Sequence, residues 1–176
     1  MIIIIFDLGQ LPFPSGSTVS IGGFVKRKAG GIVGRKNLPL MLLQAREVLL
    51  QHFRPIFQQF GLTEQQWRIL RVVSDREQLE QREITILCQI SGPSLSNILS
   101  RLEEVGYVVR KRSKDDHRKV FVRLGHRGRA LVSQVAPHVD ARYRELEKTL
   151  GLELTSSLFA VLERLLQFPL GSAEGD

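Results

Sequence analysis

The chain has 176 residues, 43% of them hydrophobic, with 25 Lys+Arg against 18 Asp+Glu, a formal net charge of +7 and a pI near 10.1. That length suffices for one domain with its own core, and the basic excess suits an acidic partner such as nucleic acid. A single cysteine, Cys88, excludes a disulfide framework and a cysteine zinc cluster, and no apolar run reaches the ~20 residues a membrane span requires.

The charge is unevenly placed. Residues 91–130 carry ten Lys/Arg and four Asp/Glu, residues 1–36 five and one, residues 37–90 six of each, and residues 131–176 four and seven. Met1–Phe6 is too short for a signal-peptide core and runs directly into Asp7, so a cytoplasmic protein is expected. Residues 1–36 hold seven glycines, Pro12 and Pro14, which break any long element. They read as an irregular basic extension. Two readings stay open: a DNA-gripping arm through Lys26, Arg27, Lys28, Arg35 and Lys36, or a start codon placed too far upstream.

From Asn37 to about Phe60 the pattern is helical, with Leu40, Leu43, Val48, Leu49, Phe53, Ile56, Phe57 and Phe60 giving more apolar surface than one core face needs. Pro55 should kink this helix or start a second segment, and Gly61 ends it. Thr63 then caps a helix to Ser74, and Gln66 three residues on completes a capping box. Trp67, Leu70 and Val73, with Ile69 and Val72 beside them, are expected inward. A polar connector, 75–79, leads to a short helix over Glu80–Ile90 with Ile84, Leu87, Cys88 and Ile90 inward.

The next helix starts at a Ser91 cap with Pro93 in its first turn and stops at Gly106. Leu95, Ile98, Leu99, Leu102 and Val105 make a narrow apolar stripe. Its other face carries Ser94, Ser96, Asn97, Ser100 and Arg101: short hydrogen-bonding groups and one cation. A solvated helix usually carries long Lys and Glu there, whereas hydroxyls, an amide and an Arg suit phosphates and base edges. Two alternating strands follow, Tyr107–Arg110 and Val120–Leu124, around a charged tip over residues 112–119. Helix, short turn, helix and basic hairpin is the layout of a winged helix-turn-helix. A long helix then runs from about Gly125 through Leu131, Val135, Val139, Tyr143, Leu146 and Leu150, with Pro137 inside it. A final helix over about Leu154–Phe168 precedes a Gly/Ser/acidic tail, 169–176. The expected fold is mainly α with a two-stranded β-wing and dimerisation helices at both ends.

The segments Leu62-Thr-Glu-Gln-Gln-Trp-Arg-Ile-Leu70, Leu102-Glu-Glu-Val-Gly-Tyr-Val-Val-Arg110 and Asp115-Asp-His-Arg118 resemble the MarR family of winged-helix regulators. Leu43-Gln-Ala-Arg-Glu47 with Phe53-Arg-Pro-Ile56 is similar to its homoprotocatechuate (4-hydroxyphenylacetate) operon repressor branch. The resemblance covers about Leu38–Leu166. It divides the MarR-type domain, 37–168, into dimerisation helices (37–61 and 126–168) and a DNA-binding lobe (62–125). One departure is Leu124-Gly-His-Arg-Gly128, where the family usually has Leu-Thr; two readings stay open, a weaker start of the long helix or Gly125 as its cap in place of Thr.

The resemblance implies a homodimeric repressor, not an enzyme, on a pseudo-palindromic double-stranded DNA operator, released by a small aromatic carboxylate. The surplus apolar surface at both ends of the chain suits such a dimer independently, with half-sites roughly 34–36 Å apart. On the family pattern Arg118 is the wing-tip arginine and Asp116 the acid that holds it. Lys114, His117 and Lys119 would add phosphate contacts. A phenolic carboxylate needs an apolar slot and a cation, which Arg46, His52, Trp67, Arg68 and Arg71 are placed to supply. Trp67 read alone is a core residue, and each Arg a surface ion pair. Cys88 lies on an inward stripe and reads as a small hydrophobe, with a redox switch as the alternative. The four histidines share no metal-ligand spacing, and no cofactor motif is present.

Overall fold

The computed structural model describes residues 37–167, His117 excepted. The basic extension, 1–36, and the tail lie outside that range. The chain divides between Leu43 and Gln44. Of the first unit the described part is 37–43, the opening turns of helix α1 (Leu38–Gln51). The Asn37 side chain accepts the Leu40 N–H at 3.1 Å there, capping the helix start.

The second unit contains α2 (Arg54–Gln59), α3 (Glu64–Ser74), strand β1 (Leu79–Glu80), α4 (Gln81–Cys88), α5 (Gly92–Glu104), β2 (Val108–Arg112), β3 (Val120–Leu124), α6 (His126–Leu150) and α7 (Leu152–Leu166). Pro55 falls in the first turn of α2, so it starts a second segment rather than kinking one helix. Gly61 ends that segment at φ +65°. The Thr63 box forms as expected: Thr63 Oγ1 accepts the Gln66 N–H at 3.2 Å, and Gln66 Oε1 accepts the Thr63 N–H at 2.8 Å.

The core is a single apolar cluster. Ile69, Leu70 and Val73 of α3 meet Ile84 and Cys88 of α4, Leu95, Leu99 and Leu102 of α5, and Val108 and Val122 of the hairpin. The first half of α6 covers it with Leu131, Val132, Val135 and Val139, and α2 adds Ile56 and Phe57. The two-stranded β2–β3 wing forms as expected, and β1 adds a short third strand to the sheet at its edge: Leu79 faces Val122 and Glu80 faces Phe121, giving the order β1-β3-β2. Two expectations need correction. Leu87 is not inward but 49% exposed, because α4 spans only two turns and Ile84 and Cys88 already fill its buried side. Val105 sits beyond the last turn of α5 and is exposed as well.

Both ends of α5 are fixed, though not both as expected. Ser91 occupies the cap position, but its side chain accepts no backbone N–H of the helix; its hydroxyl donates instead to Ser94 Oγ at 2.9 Å. At the other end Gly106, at φ +76°, allows the Gly106 N–H to reach Glu103 O (2.9 Å) and the Tyr107 N–H to reach Leu102 O (2.8 Å). This paired closure aims the chain directly into β2.

Tyr107 also fixes the other end of the hairpin. Its carbonyl accepts the Gly125 N–H at 2.9 Å, and Gly125 caps α6 in place of a side chain. The α5 terminus and the start of the long helix are thus joined backbone to backbone. α1 and α7 contain no buried residue. Leu43 is 60% exposed on the first; Phe159 and Val161 are 56% and 63% exposed on the second.

Candidate nucleic-acid interface

The α5 face predicted to meet DNA is open. Ser94, Asn97, Ser100 and Arg101 are exposed, and Ser96 is half-buried. Two of these side chains are held by neighbours that sequence reasoning did not single out. Gln81, at the first turn of α4, donates from Nε2 to Ser96 Oγ at 2.9 Å. Arg110, on β2, donates from Nη2 to Ser100 Oγ at 3.3 Å.

Arg110 is chiefly bound to Glu103. Glu103 accepts the Arg110 backbone N–H at 3.0 Å and its Nε at 2.8 Å, with Nη2 2.6 Å away. This fastens the wing strand to the last turns of α5. Burial alone would raise the Glu103 carboxyl pKa. The hydrogen bonds from the Arg110 side chain and backbone, with its charge, outweigh that and hold it below the ordinary carboxylate value.

The wing tip is built around two short side chains. Ser113 Oγ accepts the N–H groups of Asp115 (3.2 Å) and Asp116 (3.3 Å). Asp116 Oδ1 accepts the Arg118 N–H at 3.0 Å and its Nε at 3.4 Å. The Arg118 side chain is 94% exposed. The carboxylate therefore grips the root of the guanidinium and leaves its terminal donors to solvent. Lys114 and Lys119 are exposed beside it; His117 lies outside the described residues. A tip of this kind can place a cation in a narrow groove or on a phosphate.

The proposed effector residues do not form one cluster. Arg46 and Arg68 converge on Glu64: Arg46 Nη2 lies 3.2 Å from Oε2, Arg68 Nη2 donates to it at 3.1 Å, and Arg68 Nε lies 3.0 Å from Oε1. Arg68 Nη1 also donates to the Cys88 carbonyl at 2.6 Å. Trp67 is buried, its ring 6.0 Å from Phe57. The aromatic row continues to Phe53 (6.4 Å) and then Tyr143 (4.7 Å), a half-exposed residue the sequence placed only in an apolar stripe. Arg71 pairs instead with Asp75 at 2.9 Å on the surface. His52 is exposed, and its side chain makes no hydrogen bond or ion pair among the described residues.

Cys88 is fully buried, burial pushes its thiol pKa up, and Sγ donates weakly to Arg68 O at 3.8 Å. These are the properties of a small core residue rather than a reactive thiolate. Among the described residues no helix is long and apolar enough to cross a membrane, and no group of three His, Cys, Asp or Glu is placed to hold a metal.

Comparison with known proteins is consistent with this geometry. Residues 60–119 match the family model described as MarR family. The chain is 39% identical over 127 residues to the HTH-type transcriptional regulator FarR of Neisseria gonorrhoeae, covering 70% of this chain and 87% of that one. It is 35% identical over 130 residues to the homoprotocatechuate degradative operon repressor of Escherichia coli, covering 74% and 88%. Among solved structures, NadR in complex with 4-hydroxyphenylacetate superposes with a TM-score of 0.70 at 35% identity, covering 81% of this chain and all of that one.

Proposed function

We infer, from a chain that belongs to the MarR family of winged helix-turn-helix DNA-binding transcriptional regulators, that it acts as the dimeric repressor of an aromatic-acid catabolic operon. A small aromatic carboxylate releases it from its operator. The observation that carries the DNA-binding part is the pairing of an open Ser/Asn/Arg face on α5 with an exposed Arg118 rooted on Asp116. In a dimer, α5 of each protomer enters successive major grooves. Ser94, Ser96, Asn97, Ser100 and Arg101 meet bases and phosphates, and Arg118 with Lys114 and Lys119 meets the flanking backbone or minor groove. The apolar surfaces of α1 and α7, with no buried residue on either, support a two-fold interface.

The effector reading draws on two similar proteins: a homoprotocatechuate operon repressor and a structure bound to 4-hydroxyphenylacetate. In this chain Trp67 and the aromatic row beside it supply the apolar wall, and Arg46 and Arg68 supply the cations. Glu64 already occupies both guanidiniums, so an entering carboxylate has to compete with it. Ligand favours a dimer whose recognition helices are wrongly spaced, a population shift.

The test is fluorescence anisotropy on a labelled operator duplex, titrated with 4-hydroxyphenylacetate, homoprotocatechuate and salicylate. At least one should release the DNA and raise the melting temperature of the free protein. A flat response to all three in both assays sinks the effector reading and leaves the DNA-binding reading standing.

A further inference from the structure

Ser96 and Ser100 lie one helical turn apart on the open face of α5, and each accepts a hydrogen bond from a different supporting element. Ser96 Oγ accepts from Gln81 Nε2 of α4 at 2.9 Å. Ser100 Oγ accepts from Arg110 Nη2 of the wing strand at 3.3 Å. Neither hydroxyl donates to another group among the described residues. A serine hydroxyl has one proton and two lone pairs and can face DNA as donor or as acceptor, so a bare serine discriminates poorly. Here one lone pair on each is already committed. For Ser100 the direction admits no inversion, because a guanidinium only donates.

We propose that Gln81 and Arg110 are positioning residues that bias Ser96 and Ser100 toward acting as hydrogen-bond donors to DNA. At those two places α5 then favours acceptor atoms — phosphate oxygens, guanine O6 and N7, adenine N7, thymine O4 — over the amino groups of adenine and cytosine, which could use only the one lone pair left on each hydroxyl. The inference rests on the reading of α5 as the recognition helix. Arg110 adds charge to the effect: a hydroxyl that accepts from a cation is polarised into a stronger donor. The Glu103 ion pair, at 2.6 Å, keeps that cation in place.

The test starts from a duplex selected by the parent protein from randomised double-stranded DNA. Affinity is then measured on copies with one atom removed at a time. A methylphosphonate or a 7-deazapurine deletes an acceptor; purine for adenine, or 2-pyrimidinone for cytosine, deletes a donor. Deleting the acceptor opposite either serine should weaken the parent about 5- to 10-fold, the size of one neutral hydrogen bond. Ser96→Ala and Ser100→Ala should each lose sensitivity at one position only.

Gln81→Glu places an acceptor-only carboxylate against Ser96 and turns its proton inward. That variant should lose the Ser96 sensitivity and keep the Ser100 one. Arg110→Met should blunt the Ser100 sensitivity, and Arg110→Lys should restore it. Urea midpoints confirm that each variant is folded. If serine removal abolishes sensitivity to donor-deleted bases instead, or if Gln81→Glu keeps the acceptor profile, the proposal is overturned while α5 remains the reading helix. If Ser96→Ala, Asn97→Ala and Ser100→Ala bind every duplex as the parent does, the recognition-helix reading fails and this inference fails with it.

Discussion

Replacing Gly128 with alanine probes the joint on which the lobe depends. A Cβ at that position would lie 1.9 Å from Tyr107 O, 2.8 Å from Tyr107 C and 3.1 Å from Tyr107 Cα, all backbone atoms. An ordinary contact needs roughly 3.5 Å or more, so the start of α6 and the Gly106–Tyr107 turn must separate. Tyr107 cannot yield freely. Its N–H closes α5 on Leu102 O at 2.8 Å, and its carbonyl holds the Gly125 N–H at 2.9 Å. Overpacking of this kind costs about 1–3 kcal/mol, and each strained hydrogen bond adds about 1 kcal/mol. Alanine recovers up to about 1 kcal/mol through helix propensity. The net expectation is a loss of about 2–4 kcal/mol, a large share of the ~5–15 kcal/mol a domain has.

Urea denaturation of parent and variant measures it. Gly92→Ala is the control, since a Cβ there meets nothing within 4 Å and should leave stability unchanged or slightly raised. A Gly128→Ala variant as stable as the parent would refute the close-approach argument.

Two other outcomes follow from the same structure. Phe159→Asp, on the open face of α7, should convert a particle of twice 19.9 kDa into one of 19.9 kDa in sedimentation equilibrium; a variant that stays dimeric removes α7 from the interface. For Glu103→Gln the pH dependence is the readout. Because Glu103 is held below its unfolded value, its ionised form contributes stability that is complete above the ordinary carboxylate pKa of about 4.3 and is lost as pH falls through the folded value. The gap in stability between parent and variant should therefore be constant near neutrality and shrink in acid; a gap that widens in acid would contradict the ion pair.

Local chemistry was readable from the sequence wherever cause and effect lie within a few residues. Thr63 and Gln66 specify their own capping box, Gly106 its own turn, and Asp116 and Arg118 their own tip, because the spacing brings the groups together without help from the rest of the fold. Gly125 as the cap of α6 was one of two readings drawn from the departure from the family's Leu-Thr pattern, and the structure decides for it. What was not readable depends on distant partners. β1 is two residues long, too short for any alternation, and exists because Val122 and Phe121 lie opposite it across more than forty positions. Leu87 was misplaced because two turns of helix do not fix a face by periodicity alone. Gln81 and Arg110 are ordinary polar residues until the fold carries them to Ser96 and Ser100. Glu64 and Arg68 are visible as an i, i+4 pair, but the approach of Arg46 to the same carboxylate is tertiary.

The central claim is that the α5 face and the Arg118 tip grip double-stranded DNA. It is tested most directly by the salt dependence of operator binding for the parent and for Arg118→Ala. Arg118 is 94% exposed, so the substitution should leave the urea midpoint unchanged. Each lost contact should weaken binding by about 1–3 kcal/mol. If both tips of a dimer touch phosphate, the slope of log K against log salt should fall by about 2. An Arg118→Ala protein that binds operator with the parent's affinity and the parent's slope would contradict the account.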